Sequence, residues 1–366
     1  MANRLIWKDI PISQTEVCLS KCLRCGQTFR WKNIGDIWTF TLSDRIVLLR
    51  QYETLIKFSW IEQNHSTQDN MSSLELEKET FNFVLDYFNT GIKLNDLYHQ
   101  WKEADKLYNI GINKSVFDKY DGVRILRQDP WETLVSFICS SNNNVKRISK
   151  MCDILCNEFG RYINEFGGVK HYSFPDAAKL CDPSVELRLR ELGFGYRAKY
   201  IHKTACFFGK AVAPQDRLRE LYSLRLRDYP TAFEYLLQLH GVGPKVADCI
   251  CLMALDKHNV VPVDTHVYQI AVRDYKFKSK KGVKSLNRKE YYAIADHFRK
   301  IFGDFAGWAQ SILFTSDLRD LTNGVNKDNL QLDDTYISNS ETYTLSKRSL
   351  EILEGFSARK LIKTEQ

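Results

Sequence analysis

The sequence predicts an α+β protein, with an N-terminal antiparallel β domain carrying some helices and an all-α domain after it. Three observations carry this reading. Between residues 37 and 60 lie three short runs rich in β-branched and aromatic residues, with a turn signal between the first two. From about residue 119 to 320, apolar residues recur at helical spacing between short Gly- or Asn-containing turns. The chain has 366 residues, 44% of them apolar, which is more than one small core needs and fits about two domains. No internal repeat is visible.

The elements follow in order. Ile37–Leu42 and Arg45–Arg50 read as strands, with Ser43-Asp44 as the turn between them. Thr54–Trp60 alternates in the strand period, and Gln63–Ser73 is polar and reads as a loop. Glu75–Gln100 carries helical spacing, with Phe81, Val84, Leu85 and Phe88 on one face. These elements place the first domain at residues 1–118. Pro130 opens a helix that runs to Ser140. Further helices are expected at 145–159, 184–192, 197–209, 230–239 and 245–255, placing the second domain at 119–322. Residues 323–366 form a polar C-terminal tail, in which 343–366 could make a short helix.

Charge and composition narrow the classes of function. The net charge is +7, which suits a phosphate-bearing partner because neutralising phosphates releases condensed counterions. Aromatic residues make up 13% of the chain, enough for core packing and for base stacking. No run of 18 or more apolar residues is present, so no membrane span is expected. The first residues lack the apolar core of a secretory signal, so the ten cysteines are expected to be reduced thiols in an intracellular protein. Cys22 and Cys25 have CxxC spacing, but no second pair at comparable spacing completes a zinc set, so no metal and no cofactor are expected. Residues 276–289 hold seven Lys/Arg and read as a solvated loop.

The most informative segment is Leu236–His266, within a hairpin spanning about 229–256. Phe233–Leu239 is an apolar-faced helix, and His240-Gly-Val-Gly243 is a tight turn in which glycine can take positive φ. Pro244 suits the first position of a second helix, whose buried face is Val246, Ala247, Ile250, Met253 and Ala254. This is a helix-hairpin-helix. Free amides at the start of its second helix can hold a phosphate, and the dipole favours the anion. Lys245 sits in that first turn, where a positive dipole end disfavours the ammonium and favours a neutral, nucleophilic amine. It can equally be a solvated lysine on a phosphate. Asp264 lies nineteen residues further on, after an extended Val-Pro-Val, and reads as the N-cap of the next helix. Its carboxylate could also face positive charge developing on a sugar, or help take the lysine proton.

With these features in place, the chain resembles the base-excision DNA glycosylases, and within them the eukaryotic 8-oxoguanine glycosylase family. Six stretches carry the resemblance in order across about residues 15–320. They are Gly26-Gln-Thr-Phe-Arg-Trp31, Asp129–Leu134 with Phe137–Asn144, Leu192–Arg197, Gly241–Cys249, Pro262–His266, and Ala306–Gln310 with Leu313-Phe314. The resemblance implies an N-terminal β domain followed by a helix-hairpin-helix glycosylase domain. It implies a bifunctional glycosylase and abasic-site lyase that excises 8-oxoguanine opposite cytosine.

Roles follow at the matching positions. Lys245 would form the Schiff base, with Asp264 assisting. Gly26 would offer its carbonyl to the N7 hydrogen that 8-oxoguanine has and guanine lacks. Gln310 would read the Watson–Crick edge, between Phe314 and Cys249 on the two faces of the base. His266, Gly241 and Val246 would hold phosphates. Asn142, Arg147, Tyr196 and Arg197 would fill the gap and contact the orphaned cytosine. Damaged duplex DNA is the implied partner, a monomer the implied state, and the nucleus the implied location, with a mitochondrial share left open. Each position has a plainer reading: a strand bend at Gly26, an inert thiol at Cys249, helix ends at Asn142 and Tyr196. The four-cysteine pattern of the endonuclease III-type relatives is absent. The alternatives are a related glycosylase for another lesion, which would differ at Gly26, Gln310 and Phe314, and a non-catalytic DNA-binding protein, which needs neither Lys245 nor Asp264.

Overall fold

The structure is a computed structural model that describes residues 5–63, 72–108, 115–210, 214–278 and 287–318. The C-terminal tail and the middle of the basic stretch 276–289 lie outside the described residues.

Five strands form one antiparallel sheet: β1 (Lys8–Ile10), β2 (Lys32–Ile34), β3 (Ile37–Thr41), β4 (Arg45–Gln51) and β5 (Ile56–Glu62), in the order β1-β5-β4-β3-β2. Strand periodicity sends alternate residues to opposite faces, and both faces are covered. Trp38, Phe40, Val47, Leu49 and Phe58 meet Phe81, Val84, Leu85 and Phe88. Ile37, Ile46 and Leu48 on the other face meet Ile163 and Phe166.

The helices are α1 (Leu19–Cys22), α2 (Ser73–Tyr87), α3 (Leu94–Lys106), α4 (Val116–Lys119), α5 (Pro130–Ser140), α6 (Val145–Phe159), α7 (Ala177–Leu180), α8 (Val185–Glu191) and α9 (Arg197–Gly209). They continue with α10 (Pro214–Ser223), α11 (Tyr229–Leu237), α12 (Pro244–Ala254), α13 (Thr265–Arg273), α14 (Arg288–Phe302) and α15 (Ala306–Asp317). The helical spacing over 75–100 resolves into two helices. Asn89 takes φ 53° and ends the first, and Thr90 N–H returns to the Leu85 carbonyl. Asparagine tolerates that left-handed conformation because its side chain is short and polar. Leu94, Leu97, Tyr98 and Trp101 of α3 then enter the large helical core, which therefore draws on residues before 119.

The second domain is not purely helical. Strands β6 (Tyr162–Phe166) and β7 (Val169–Tyr172) form a hairpin whose two-residue loop is Gly167-Gly168, at φ 57° and 73°. Two glycines with positive φ match the right-handed twist of a hairpin. The hairpin covers the back of the first sheet, and His171 donates to or accepts from Thr39 Oγ1 at 2.9 Å through Nε2. Burial holds the His171 ring down to about 4, so it stays neutral there.

Candidate active site

The predicted hairpin is formed by α11, the turn His240–Gly243 and α12. Pro244 stands in the first turn of α12, as its fixed φ and missing N–H allow. Gly241 adopts φ 82°, and a Cβ on it would come within 2.7 Å of Tyr200 Cβ, so only glycine fits the turn against α9. Thr204 Oγ1 donates to the His240 carbonyl at 2.8 Å and fixes the turn from the same helix. Gly243 caps α12 with no side-chain acceptor. The amides of Lys245 and Val246 in that first turn have no intrahelical acceptor and face outward as donors.

Asp264 caps α13, accepting from Val267 N at 3.0 Å. This satisfies one orphan amide and fixes the carboxylate at a helix entrance. Lys245, Asp264, Cys249, Gln310, Phe314 and Gly26 all line one narrow cleft of about 60 Å³, with Phe137, Met253 and Pro262 completing its apolar wall. Lys245 Nζ lies 5.3 Å from the centre of the Phe137 ring, a distance at which the aromatic face attracts a cation. Burial pushes the Cys249 thiol up to about 11 against the pull of the Lys245 ammonium beside it. Cys249 is therefore a neutral thiol at physiological pH. Gln310 is 5% exposed, and its carboxamide has no hydrogen-bond partner among the described residues. Its amide atoms are not fully buried and line the open space of the cleft, so they are available to something that enters it.

Gly26 takes φ 82°, and a Cβ there would meet Val145 at 3.2 Å and Phe314 at 3.8 Å. Its position is set by Gln27, which sequence reading did not single out. Gln27 is buried, donates to the Cys22 and Arg124 carbonyls at 3.1 and 2.9 Å, and accepts from Leu126 N at 2.9 Å. Gln128 Nε2 donates to the Gln27 carbonyl at 2.7 Å. Three of these hydrogen bonds, all but the one to Cys22, thus pin the chain beside Gly26 to the segment joining the two domains.

A second unforeseen group underlies the cleft. Asp248 is 2% exposed and accepts from Tyr229 Oη at 2.8 Å and Tyr291 Oη at 2.5 Å. Tyr291 Oη in turn accepts from Val263 N at 3.3 Å, one residue before Asp264. Burial raises the Asp248 carboxyl to about 6, with both phenols opposing the shift. The relay ties α12, which bears Lys245, to the segment that bears Asp264.

The remaining candidates lie outside the cleft. His266 is exposed, with Nδ1 3.9 Å from Asp317 and its ring 6.0 Å from Phe314. Asn142 takes φ 47° in the turn between α5 and α6. Arg197 is buried beneath that turn and donates to the Ser141 and Asn142 carbonyls. Its guanidinium stacks on Tyr196 at 4.6 Å, and Tyr196, 46% exposed, donates to Ser141 O at 3.0 Å. Arg147 is exposed and reaches the Gly193 carbonyl at 3.4 Å. In this state Arg197 serves the turn, and Asn142, Arg147 and Tyr196 present themselves outward. Among the described residues, no group of three or more His, Cys, Asp or Glu side chains could hold a metal ion, and no helix is long and apolar enough to cross a membrane. All ten cysteines are free thiols.

A lysine and a capping carboxylate facing one cleft at the mouth of a helix-hairpin-helix define a base-excision type of site, and residues 135–291 match the helix-hairpin-helix superfamily of base-excision DNA repair proteins. Residues 9–134 match the 8-oxoguanine DNA glycosylase N-terminal domain. An N-glycosylase/DNA lyase of Saccharomyces cerevisiae is 37% identical over 345 residues, covering 84% of this chain and 85% of its own. The Arabidopsis thaliana N-glycosylase/DNA lyase OGG1 is also 37% identical, over 313 residues, with 85% and 80% covered. The chain belongs to the 8-oxoguanine DNA glycosylase family. The Clostridium acetobutylicum 8-oxoguanine glycosylase/lyase, solved with double-stranded DNA containing cytosine opposite 8-oxoG, superposes at TM-score 0.66 and 26% identity over 84% of this chain and 93% of that one.

Proposed function

We propose that this protein excises 8-oxoguanine from duplex DNA and then cleaves the abasic strand. The observation that carries the reading is the single cleft shared by Lys245, Asp264, Gly26, Cys249, Gln310 and Phe314. Inside a duplex the glycosidic bond is shielded, so the nucleotide must be flipped out, at a cost of a few kcal/mol. Contacts from Asn142, Arg147 and Tyr196, and from Arg197 once its guanidinium leaves the Ser141 and Asn142 carbonyls, to the gap and to an orphaned cytosine offset that cost. Phosphates docked on Gly241, Val246 and His266 hold the bent strand.

Chemistry then needs only this chain's own groups. The Lys245 amine attacks C1′, and the C1′–N9 bond breaks with its electron pair leaving on the base. The negative Asp264 carboxylate stabilises positive charge on the sugar and assists loss of the lysine proton. The lysine nitrogen then expels O4′ as the C1′–O4′ bond breaks and the sugar ring opens, with O4′ taking up a proton. The resulting imine acidifies the C2′ proton, and its removal expels the 3′ phosphate by β-elimination. The Gly26 carbonyl meets an N–H at N7 of 8-oxoguanine and a lone pair at N7 of guanine, which makes it the discriminating contact. The protein acts as a monomer, in the nucleus.

The test is borohydride trapping on a duplex with one 8-oxoguanine opposite cytosine. Wild type forms a covalent adduct on the damaged duplex and none on the undamaged one. Lys245→Gln forms none and loses roughly 10³-fold or more in excision. An adduct that survives Lys245→Gln transfers the chemistry to another amine. Tight binding without adduct or base release leaves a DNA-binding protein with no catalysis.

A further inference from the structure

A broad groove of about 740 Å³ runs along α6 and the edge of the first sheet, beside the lesion cleft. Its lining holds Arg24, Lys32, Lys146, Arg147 and Lys150 against the single carboxylate of Asp153. That carboxylate is already taken by Lys32 at 3.1 Å, and the Arg24 guanidinium stacks on Trp38 at 4.9 Å. Lys146 and Lys150 are exposed and have no hydrogen-bond or ion-pair partner among the described residues. They stand one turn apart on α6, about 6 Å along the axis, and so share a face.

The groove also joins the proposed reading apparatus. Val145 lines it and stands 3.2 Å from where a Gly26 Cβ would be, so one side chain separates groove from cleft. Asn144 lines it too, and caps α6 by accepting from Arg147 N at 2.9 Å, at the end of the turn that carries Asn142. That turn is the one assigned to the orphaned base, so the backbone leaving that base passes the start of α6.

We propose that this groove carries the strand opposite the lesion, with Lys146 and Lys150 each neutralising a phosphate on one side of the orphaned base. This rests on the glycosylase reading above. The groove then governs affinity and register, and leaves the chemical step untouched. Phosphate contacts position a protein on a duplex and make binding salt-dependent.

The experiment compares wild type with a Lys146→Gln/Lys150→Gln variant, which keeps helix-forming residues at exposed sites. Affinity for an 8-oxoguanine duplex is measured over a range of salt. Two further duplexes have the unmodified strand trimmed on one side of the lesion or the other. The slope of log K against log salt is expected to fall by about 1.8 in the variant, from two lost phosphate contacts. This difference disappears on one of the two trimmed duplexes. The single-turnover excision rate of the saturated complex stays within about twofold of wild type. An unchanged slope, or a difference that persists on both trimmed duplexes, overturns the proposal. Borohydride trapping of wild type on the same duplex separates the two readings. Without an adduct the glycosylase reading falls, and with a normal adduct and an unchanged slope only the groove assignment does.

Discussion

The narrow cleft at Lys245 and the wide one between the domains differ in the opposite sense to their size. The wide cleft, about 930 Å³, is lined by Arg30, Arg45, Arg127 and Arg225 as well as Phe40 and Phe83. Every one of those arginines is committed. Arg30 pairs with Glu132 at 2.6 Å, Arg45 with Asp44 and Glu79, and Arg127 with Asp86 and Asp256, while Arg225 donates to the Ala254 and Gln128 carbonyls. The narrow cleft holds about 60 Å³ and a carboxamide with no partner. Volume marks where two domains meet imperfectly. A polar group that lines a cleft without a protein partner is free to pair with a ligand, and a ligand that covers it without pairing it loses about 1–3 kcal/mol.

The comparison can be broken first at Arg30, whose side chain is 5% exposed and also donates to the Thr41 and Tyr172 carbonyls. Arg30→Met strands the buried Glu132 carboxyl, and denaturant titration should show a loss of about 3–5 kcal/mol. Excision per folded molecule should hold. A loss below about 1 kcal/mol would mean that the wide cleft is not the structural seam described above.

Asp248 sharpens the comparison with a smaller effect. Its carboxyl is raised to about 6 from an ordinary value of 3.8. The folded protein therefore keeps this proton to higher pH than the unfolded chain does. Its contribution to stability is full below about pH 4 and falls as pH rises to about 6, by roughly 3 kcal/mol. Asp248→Asn should flatten that part of the stability–pH curve relative to wild type. Parallel curves for the two proteins would remove Asp248 as its source. The smallest effect is at Gln310. Gln310→Ala should leave the melting temperature nearly unchanged and lower kcat/KM on the lesion about tenfold, near 1.4 kcal/mol. A drop in stability with unaltered kcat/KM would return Gln310 to the core.

Much of this was legible in the sequence, and what was not has a common cause. The helices α5, α6, α9 and α12 begin and end within a residue of their expected bounds, because apolar spacing, Pro130 and Pro244 are local signals. The hairpin turn and the Asp264 cap were legible for the same reason. The β6–β7 hairpin was not, since its Ile163 and Phe166 find their partners in strands more than a hundred residues earlier. Gln27 lay inside a recognised stretch, yet its partners at Arg124, Leu126 and Gln128 are about a hundred residues away. Asp248 also lay inside a recognised stretch, and only the fold brings Tyr229 and Tyr291 onto it.

The Gln27 staple has a consequence for how this protein would fail. On the proposed reading, the carbonyl that tells damaged from intact guanine belongs to the first domain, and the nucleophile belongs to the second. The hydrogen bonds at Arg124, Leu126 and Gln128 are what keep judge and blade in one frame. A protein whose first domain loosens before its second unfolds would therefore pass through a careless state, still able to cut and no longer fastidious about which guanine it cuts. Loss of fidelity, ahead of loss of activity, is the fault this architecture is built to suppress.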